Sequence, residues 1–415
     1  MGHPIDFPMP SVKTGSLRKL PVNLEGERNI NRTVLQVEVA NGVKAFRYYE
    51  VGDFLKKAIF GQVNFGYVLQ LKDGKLQRIC ECAIKVYSKA LVQDLRGVTQ
   101  ENPLLEIAAQ QFLGTHQNIA TGIECCHDAE NIYSIMEFCT FDLCETILSG
   151  GKVKSSEAKC YFRQIATGVR LMHSKGVAHR DISLENVMLT STGVCKIIDF
   201  GMSIRLPPSQ RSVASSSSSS VSKIPPQGVC GKQHYVSPEV IQNKEAFDGL
   251  ASDIWALGVM LFILLAGFPP LDAASPIDPR FDLLRQGHLS TMMAQWGVPV
   301  EAEAMDLISR MLREDPSDRL RIDEILRHPW LQEPDTSMPL ASEISSTAAF
   351  VVSSSKPGSD EAASVAPTPQ LSRNGSAGAA YTRACRVGPF EREQHQQHRQ
   401  QQQQALGGDR ATTVE

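Results

Sequence analysis

The stretch His179-Arg180-Asp181-Ile182-Ser183-Leu184-Glu185-Asn186 is followed along the chain by Asp199-Phe200-Gly201. Carboxylate and amide oxygens are the ligands that Mg²⁺ prefers, and Asn186 and Asp199 supply one of each. Asp181 is a carboxylate that can accept a proton from an attacking hydroxyl. The two motifs in this order are far more specific than either alone. They predict a magnesium site at Asn186 and Asp199 beside a catalytic Asp181.

A lysine stands in an apolar stretch, Cys82-Ala83-Ile84-Lys85, that has the pattern of a short strand. A charged side chain among buried neighbours is costly unless an opposite charge pairs with it. Glu106, on a helix predicted over Pro103–Leu113, is the expected partner. The alternative is an exposed strand lysine and a solvated helix glutamate, and the spacing alone leaves both open.

Two glycines lie close together in Gly61-Gln62-Val63-Asn64-Phe65-Gly66-Tyr67-Val68, between predicted strands. Glycine has no Cβ, so its backbone can approach phosphate oxygens closely. We predict that this segment covers a chain of phosphates, although any hairpin can carry two glycines. Lys72-Asp73-Gly74, which follows, is typical of a hairpin turn.

These motifs together resemble those of the eukaryotic protein kinases, over about Tyr48 to Leu331. Further stretches match that family in the same order. They are Ser237-Pro238-Glu239, Asp253-Ile254-Trp255-Ala256-Leu257-Gly258, Arg319 after Asp315-Pro316, and His328-Pro329-Trp330. Within the family, the sequence is most similar to the calcium/calmodulin-dependent-kinase-like group.

The resemblance implies an α+β, bilobal protein-kinase fold, with a small β-rich N-lobe, a larger α-helical C-lobe and ATP in the cleft between them. It implies that Lys85 and Glu106 hold the α- and β-phosphates and that Glu239 pairs with Arg319. It also implies a hinge that receives the adenine, with Met136 as its gatekeeper. The residues implied around the nucleotide are Gly61, Val63, Gly66, Val68, Ala83, Lys85, Met136, Glu137, Cys139 and Met188. Among them, Val68, Ala83 and Met188 are implied to sandwich the purine.

Three positions depart from the family pattern. Val63 stands where the second glycine of the loop usually lies, and we expect an altered grip on the nucleotide. Ser183 replaces a lysine that usually neutralises the γ-phosphate, and Lys232 replaces a threonine that usually contacts the catalytic aspartate. We hypothesise a positional swap in which Lys232 supplies the charge that Ser183 lacks, since a unit charge still acts within about 4–6 Å. The alternative is a solvent-facing Lys232.

The resemblance implies transfer of the γ-phosphate of Mg-ATP to serine or threonine hydroxyls of protein substrates. Tyrosine kinases use an arginine two or four residues after the catalytic aspartate, where this chain has Ser183 and Glu185, so serine/threonine specificity is favoured. Two alternatives stay open. One is a pseudokinase scaffold that binds nucleotide and partners without efficient catalysis, and the other is an interaction protein that acts through its Gln-rich tail.

The segment Asp199–Glu239 is long and contains the unbroken serine run Ser215–Ser220. In the family, the arginine before the catalytic aspartate, here Arg180, joins a basic pocket that a phosphorylated segment orders. We predict phosphorylation within Ser209–Ser222, with an upstream kinase as a partner. The alternative is an insert with no switching role.

Bulk composition narrows the class of protein. Hydrophobic residues are 42% and charged residues 21% of the 415, and the net charge of −3 argues against a nucleic-acid partner. The apolar run Ile254–Phe268 is shorter than the roughly 20 residues of a membrane span, so we expect a buried core helix and no membrane insertion. Ten cysteines lack CxxC spacing, which indicates free thiols in a reducing compartment, the cytoplasm or else the nucleus.

Composition also suggests three regions. Residues 1–47 form an N-terminal extension without a strong hydrophobic period, and residues 48–331 carry the kinase motifs. Residues 332–415 are rich in Ser, Ala and finally Gln, with Gln394–Gln404 nearly all Gln, His and Arg. Such a composition buries too little apolar surface to offset the entropy of ordering, so we expect a disordered tail.

Overall fold

The computed structural model describes residues 6–23, 30–39, 45–150, 153–207 and 223–332. The predicted tail beyond residue 332 and the predicted phosphorylation sites within Ser209–Ser222 lie outside these residues. The described part has a lobe rich in β-strands followed by a lobe rich in α-helices, which confirms the α+β bilobal fold.

A seven-stranded barrel forms the N-lobe. Its strands are β1 Lys13–Asn23, β2 Ile30–Val39, β3 Ala45–Ala58, β4 Gly61–Lys72, β5 Lys75–Ser88, β6 Gly122–His127 and β7 Asn131–Glu137. The strand order is β1-β2-β3-β4-β5-β7-β6, and the barrel closes where β1 lies parallel to β6. Apolar side chains fill its interior, among them Tyr49, Ile84 and Tyr133. Two helices, α1 Lys89–Asp94 and α2 Pro103–Leu113, lie between β5 and β6.

The strands β1 and β2 come from the region where the sequence showed no hydrophobic period. In β1 only Gly15 and Val22 are buried, and in β2 four consecutive residues, Val34–Val37, are buried. Neither pattern alternates between buried and exposed positions, which is the usual sign of a half-buried strand. The N-terminal extension therefore supplies two strands of the N-lobe barrel, and the boundary expected at residue 48 falls inside β3.

The hairpin predicted at Lys72-Asp73-Gly74 is confirmed. Strand β4 ends at Lys72 and β5 begins at Lys75. The two residues between them, Asp73 and Gly74, have φ values of 51° and 72°. Positive φ at both central residues is the geometry of a two-residue hairpin turn, which favours Asp-Gly.

The C-lobe is built mainly from helices around one apolar core. The helices are α3 Leu143–Gly150, α4 Ser155–Ser174, α5 Pro238–Gln242, α6 Gly249–Ala266, α7 Pro279–Arg285, α8 Leu289–Gln295, α9 Ala302–Met311, α10 Ile322–Leu326 and α11 Pro329–Gln332. The short strands are β8 Phe141–Asp142, β9 Val177–Ala178, β10 Val187–Leu189, β11 Cys195–Ile197 and β12 Ile204–Arg205. Strands β11, β10 and β8 form one small sheet, and β12 and β9 form another.

Helix α6 is the centre of the C-lobe. It is the one helix among the described residues that is long and apolar enough to cross a membrane, and most of it is buried inside the protein. Trp255, Leu257, Val259 and Phe262 have no exposed surface. The prediction of a buried core helix is confirmed.

Candidate active site

Lys85 and Glu106 meet at the inner face of the N-lobe. The Lys85 Nζ lies 3.0 Å from Glu106 Oε1 and 2.7 Å from Oε2. The phenol of Tyr87, two residues along β5, donates a third hydrogen bond to the Glu106 carboxylate at 2.8 Å. Glu106 is 4% exposed. The predicted ion pair is therefore present, and the alternative of two solvated side chains is wrong.

Lys85 stays protonated in its buried position. Burial by itself would lower the pKa of Lys85, yet the neighbouring Glu106, Tyr87 and Asp199 raise it well above its ordinary value. Helix α2 presents Glu106 to it because Asn102 caps the helix, accepting hydrogen bonds from the Leu104 and Leu105 amides. A buried ammonium that keeps its proton at neutral pH can bind a phosphate.

Asp181 lies in the loop between β9 and a 3-10 turn, Leu184–Asn186. The Asn186 amide nitrogen donates to the Asp181 carboxylate at 2.7 Å and to its carbonyl at 2.8 Å. The loop is anchored from below by Asp253 on α6, which accepts hydrogen bonds from the His179 and Arg180 amides at 2.8 and 2.9 Å. Asp253 is 1% exposed, and its anchoring role is one that the sequence motif did not reveal.

Asp199 is brought next to this loop by its neighbour Ile198, whose amide donates to the Asn186 carbonyl at 3.0 Å. Burial would raise the pKa of Asp199, but the charge of Lys85 and the amide of Gly201 hold it below its ordinary value. Asp199 is therefore ionised at neutral pH. The side-chain nitrogen of Asn186 donates to Asp181, which leaves its amide oxygen available. Asn186 and Asp199 therefore offer the oxygen ligands that suit Mg²⁺.

A further carboxylate, Glu101, lies beside the Asp199-Phe200-Gly201 motif. Burial and the nearby charge of Asp199 raise the pKa of Glu101 to about 7. The Asn102 amide donates to the Gly201 carbonyl at 3.0 Å, so the start of α2 contacts the motif directly. Glu101 precedes α2 in an ordinary polar stretch, and no sequence signal marked it.

Lys232 reaches Asp181. Its Nζ lies 2.9 Å from Asp181 Oδ2, and its backbone amide donates to Oδ1 at 3.2 Å. Gly231, with φ of 92°, makes this approach practicable, because a Cβ there would lie 2.9 Å from the Arg180 carbonyl. Burial would lower the pKa of Lys232, but Asp181 and Glu185 raise it. The alternative of a solvent-facing Lys232 is wrong.

The side chain of Ser183 contributes no charge or hydrogen bond to this cluster. Its side chain is fully buried, and its hydroxyl oxygen has no hydrogen-bond partner. The position that usually carries a lysine is thus filled by a small buried residue. The ammonium beside the Asp181 carboxylate comes instead from Lys232, at 2.9 Å.

The predicted phosphate cover differs from the structure. The turn of the hairpin is Ile59-Phe60, and Gly61–Gly66 lies inside strand β4. A Cβ on Gly61 would come within 2.0 Å of the Val86 carbonyl, and one on Gly66 within 2.5 Å of the Glu50 carbonyl. These glycines therefore permit close approach of neighbouring strands. The hairpin turn thus directly precedes the segment assigned to the phosphates, and contact of Gly61 and Gly66 with phosphate stays a prediction.

Strand parity also corrects the residues assigned to the purine. In β4, Val63 lies opposite Lys85 and Phe65 opposite Ala83, so both share the cleft face of the sheet. Val68 packs instead against the cluster that fills the barrel interior, so its predicted contact with the purine is wrong. The sequence contains the spacing Phe-Gly-x-Val twice, at Phe60–Val63 and at Phe65–Val68. In the structure, the first of these stretches, Phe60–Val63, begins at the tip of the β3–β4 hairpin.

The hinge lies where β7 ends and the C-lobe begins. Met136 lies opposite Ala83 on β5, as the gatekeeper assignment requires. Glu137 directs its side chain to Lys196, with Oε1 at 2.9 Å from Nζ. Cys139 is buried, and Met188 lies on β10 in the small sheet below. Phe138, which the sequence analysis did not single out, packs against Phe65 with ring centroids 4.9 Å apart.

Residues 54–331 match the protein kinase domain family. The chain belongs to this family. Among curated proteins, CBL-interacting protein kinase 31 of Oryza sativa subsp. japonica is 32% identical over 69% of this chain and 58% of its own length. CBL-interacting serine/threonine-protein kinase 16 of Arabidopsis thaliana is 33% identical over 69% of this chain and 57% of its own. CDPK-related kinase 5 of the same plant is 31% identical over 70% of this chain and 45% of its own.

These similarities place the kinase domain in the calcium/calmodulin-dependent-kinase-like group expected from its motifs. The chain spans a little over half the length of the first two of these relatives. The matched residues include the N-lobe from within β3 and the whole described C-lobe to Leu331.

The segment Asp199–Glu239, the activation segment of this kinase domain, is hydrogen-bonded both to the loop that carries Asp181 and to the residues before α2. Arg180 donates to Gln227 Oε1 at 3.0 Å and to Cys230 Sγ at 2.9 Å. Gln100, just before α2, donates to the Gln227 and Val229 carbonyls at 3.3 and 3.1 Å. The described end of the segment thus lies against both the catalytic loop and the N-lobe helix.

The end of the segment is locked to the C-lobe by Glu239 and Arg319. Two parallel hydrogen bonds of 2.7 Å join the guanidinium to the carboxylate. The Arg319 side chain is fully buried, and it also donates to the Ala251, Arg313 and Glu314 carbonyls. The pairing that the resemblance implied is confirmed.

Proposed function

We propose that this protein is a serine/threonine protein kinase that transfers the γ-phosphate of Mg-ATP to hydroxyls of protein substrates. One observation carries the proposal most strongly. The Lys85–Glu106 ion pair, with its 2.7 Å contact, is formed while Asp181, Asn186 and Asp199 lie together across the cleft. A kinase needs both parts in place for phosphoryl transfer. No observation favours a pseudokinase scaffold over this enzyme.

Each group has a defined task in this proposal. Lys85 binds the α- and β-phosphates, and Asn186 and Asp199 hold Mg²⁺, which neutralises phosphate charge when bound. Asp181 orients the attacking hydroxyl and accepts its proton. Ala83, Met136 and Met188 enclose the purine, with Val63 and Phe65 on the same face of the sheet as Ala83.

Lys232 supplies the ammonium that stabilises the transferring phosphate. The contact of 2.9 Å with Asp181 sets it beside the atom that receives the hydroxyl proton. Its raised pKa keeps it charged at neutral pH. In the family pattern that charge comes from the position of Ser183, which here is uncharged and buried.

Loss of the Lys232 charge is expected to reduce kcat. Lys232→Ala and Lys232→Thr should each lower kcat by about a hundredfold, with little change in the KM for ATP, because the charge acts on the developing transition state. Steady-state kinetics on a serine peptide measure this. Lys223→Ala removes an exposed lysine of the same segment and is the matched control. A decrease of less than tenfold in both Lys232 variants refutes the swap.

We propose that phosphorylation within Ser209–Ser222 regulates the enzyme. Arg180 supports this, because its Nε is buried without a hydrogen-bond partner while its other two nitrogens contact Gln227 and Cys230. A phosphate offers strong acceptor oxygens to such a donor. An upstream kinase or the protein itself would add it.

We place the enzyme in the cytoplasm or the nucleus. The nine described cysteines are free thiols. Most of them are buried in the two lobes, where burial raises the pKa of several, for example that of Cys125 to about 12. Unpaired cysteines of this kind persist in a reducing compartment.

Phosphate incorporation tests the proposed function. Purified full-length protein with Mg-ATP should label a basic serine peptide and leave the matching tyrosine peptide at background, and EDTA should abolish the label. Mass spectrometry of the same sample should find phosphate between residues 209 and 222. ATP binding without any label, in protein treated with or without an activating kinase, would instead identify a pseudokinase. Phosphosites confined to other residues would refute the regulatory part alone.

A further inference from the structure

The N-terminal segment before β1, residues 6–12, lies against helix α2. Phe7 is 8% exposed and belongs to the same buried cluster as Ala108 and Leu113 of the helix. Its ring contacts Phe112 edge to face, with centroids 5.7 Å apart. Phe7 is therefore a buried residue that packs against Phe112 of α2.

Two further contacts join the segment to α2, on the neighbouring face of the helix. The Ser11 amide donates to Gln111 Oε1 at 2.8 Å, and Gln111 Nε2 donates back to the Ser11 carbonyl at 3.0 Å. Val12 packs against the cluster that holds Ile107 and the hairpin-tip residue Phe60. Positions 107 and 111 are one helical turn apart and so face the same way. The segment therefore contacts successive turns of the helix that carries Glu106.

The segment also touches the beginning of the activation segment. The Arg205 guanidinium lies 4.4 Å from the centre of the Phe112 ring. Its Nη1 donates to the Asp6 carbonyl at 3.3 Å. Arg205 lies on β12, which pairs with β9 just before the catalytic loop. Residues 6–12 thus bridge α2 and the chain that follows Asp199-Phe200-Gly201.

Helix α2 depends on tertiary contacts for its stability. It has 11 residues, and isolated helices of that length are marginal in water. Its bond to the sheet through Glu106 joins two side chains of β5, Lys85 and Tyr87. The position of this helix decides whether the lysine–glutamate pair forms in a kinase.

We propose that residues 6–12 form an intramolecular brace that holds α2 in the position where Glu106 binds Lys85. Phe7 is its main positioning residue, and Ser11 with Gln111 sets its register. The brace rests on the proposed kinase function for its effect on catalysis. Its effect on the helix is independent of that function.

Truncating the brace should loosen α2 and slow catalysis together. In full-length protein, Phe7→Ala and Gln111→Ala should speed hydrogen–deuterium exchange of the α2 amides, and Phe7→Ala should lower kcat by about tenfold. The KM for peptide should stay unchanged, since Phe7 lies away from the hydroxyl acceptor. Phe7→Leu, which refills much of the buried volume, should restore most of both. Phe46→Ala, which removes a phenyl ring from β3 beside Tyr48, is the matched control.

A Glu106→Gln background separates the brace from general stabilisation. There the ion pair is already weakened, so adding Phe7→Ala should change kcat by less than twofold, while the two single variants each lower it. Unchanged α2 exchange in Phe7→Ala and Gln111→Ala overturns the proposal. An equal loss of kcat in both backgrounds also overturns it. Hydrogen–deuterium exchange is measured without any activity, so an inactive wild type would refute the kinase assignment while the brace is still tested. If Phe7→Ala fails to fold, the exchange of the α2 amides in Gln111→Ala and Phe7→Leu decides the test.

Discussion

Replacing Asp181 by asparagine is expected to lower kcat by about 10³-fold while ATP still binds. An amide has nearly the shape of the carboxylate but cannot accept the hydroxyl proton at neutral pH. In the proposed function, the residues that contact the purine and phosphates lie on other elements, Ala83 and Lys85 on β5 and Met136 on β7. Radiolabel incorporation into a serine peptide gives kcat, and a thermal shift with Mg-ATP reports binding.

The cluster around Asp181 makes the variant interpretable. The carboxylate accepts hydrogen bonds from Asn186 and Lys232, and one amide oxygen can still accept from one of them. The fold should therefore survive, with an unfolding temperature close to that of wild type. Asp282→Asn, at a half-exposed site on α7, is the control for loss of one carboxylate. Residual activity above a tenth of wild type would show that another group accepts the proton.

The two buried ion pairs, Lys85–Glu106 and Glu239–Arg319, were predictable because a buried charge requires a partner of opposite charge. An isolated lysine in an apolar strand requires a carboxylate, and Glu106 on a capped helix was the candidate that the structure confirms. The bidentate Glu239–Arg319 pair came from the resemblance and is likewise present. In both cases the energetic cost of an unpaired buried charge leaves few alternatives.

Strand register was not predictable in the same way. A shift of an odd number of residues moves a strand side chain to the other face of a sheet, and the two Phe-Gly-x-Val stretches differ by five residues. Taking Phe65–Val68 as the family motif assigned Val68 to the purine. In the structure, it is Val63 that lies on the same face of the sheet as Ala83 and Lys85. Nothing in the composition of either stretch separates the two registers. The partner strands β3 and β5 decide between them.

The N-terminal strands were missed for a related reason. Strand β1 buries little of its own surface, and its place is fixed by pairing with β2 along eight residue pairs and by the closing contact with β6. Long-range pairing of this kind leaves no periodic signal in a single strand. Phe7 was missed for the same reason: it stands in a short proline-rich segment without a hydrophobic period, and its burial depends on α2, which is distant in sequence.

Removing Arg319 is expected to destabilise the kinase domain by about 3–5 kcal/mol, since breaking a buried ion pair leaves an uncompensated charge. In Arg319→Met, Glu239 would keep its carboxylate largely buried and lose both of its 2.7 Å contacts. Three backbone carbonyls would lose a donor as well. Thermal unfolding should show a fall in Tm on the order of 10 °C.

A double variant distinguishes the pair from mere packing. Because the cost in Arg319→Met comes mainly from the stranded carboxylate, Glu239→Gln combined with Arg319→Met should be more stable than Arg319→Met alone. Arg310→Met breaks an exposed ion pair with Asp306 and should change stability by less than about 1 kcal/mol. An Arg319→Met protein as stable as Arg310→Met would mean that the carboxylate of Glu239 finds water or another donor, and that the end of the activation segment is held by the apolar contacts of α5 and α6 instead.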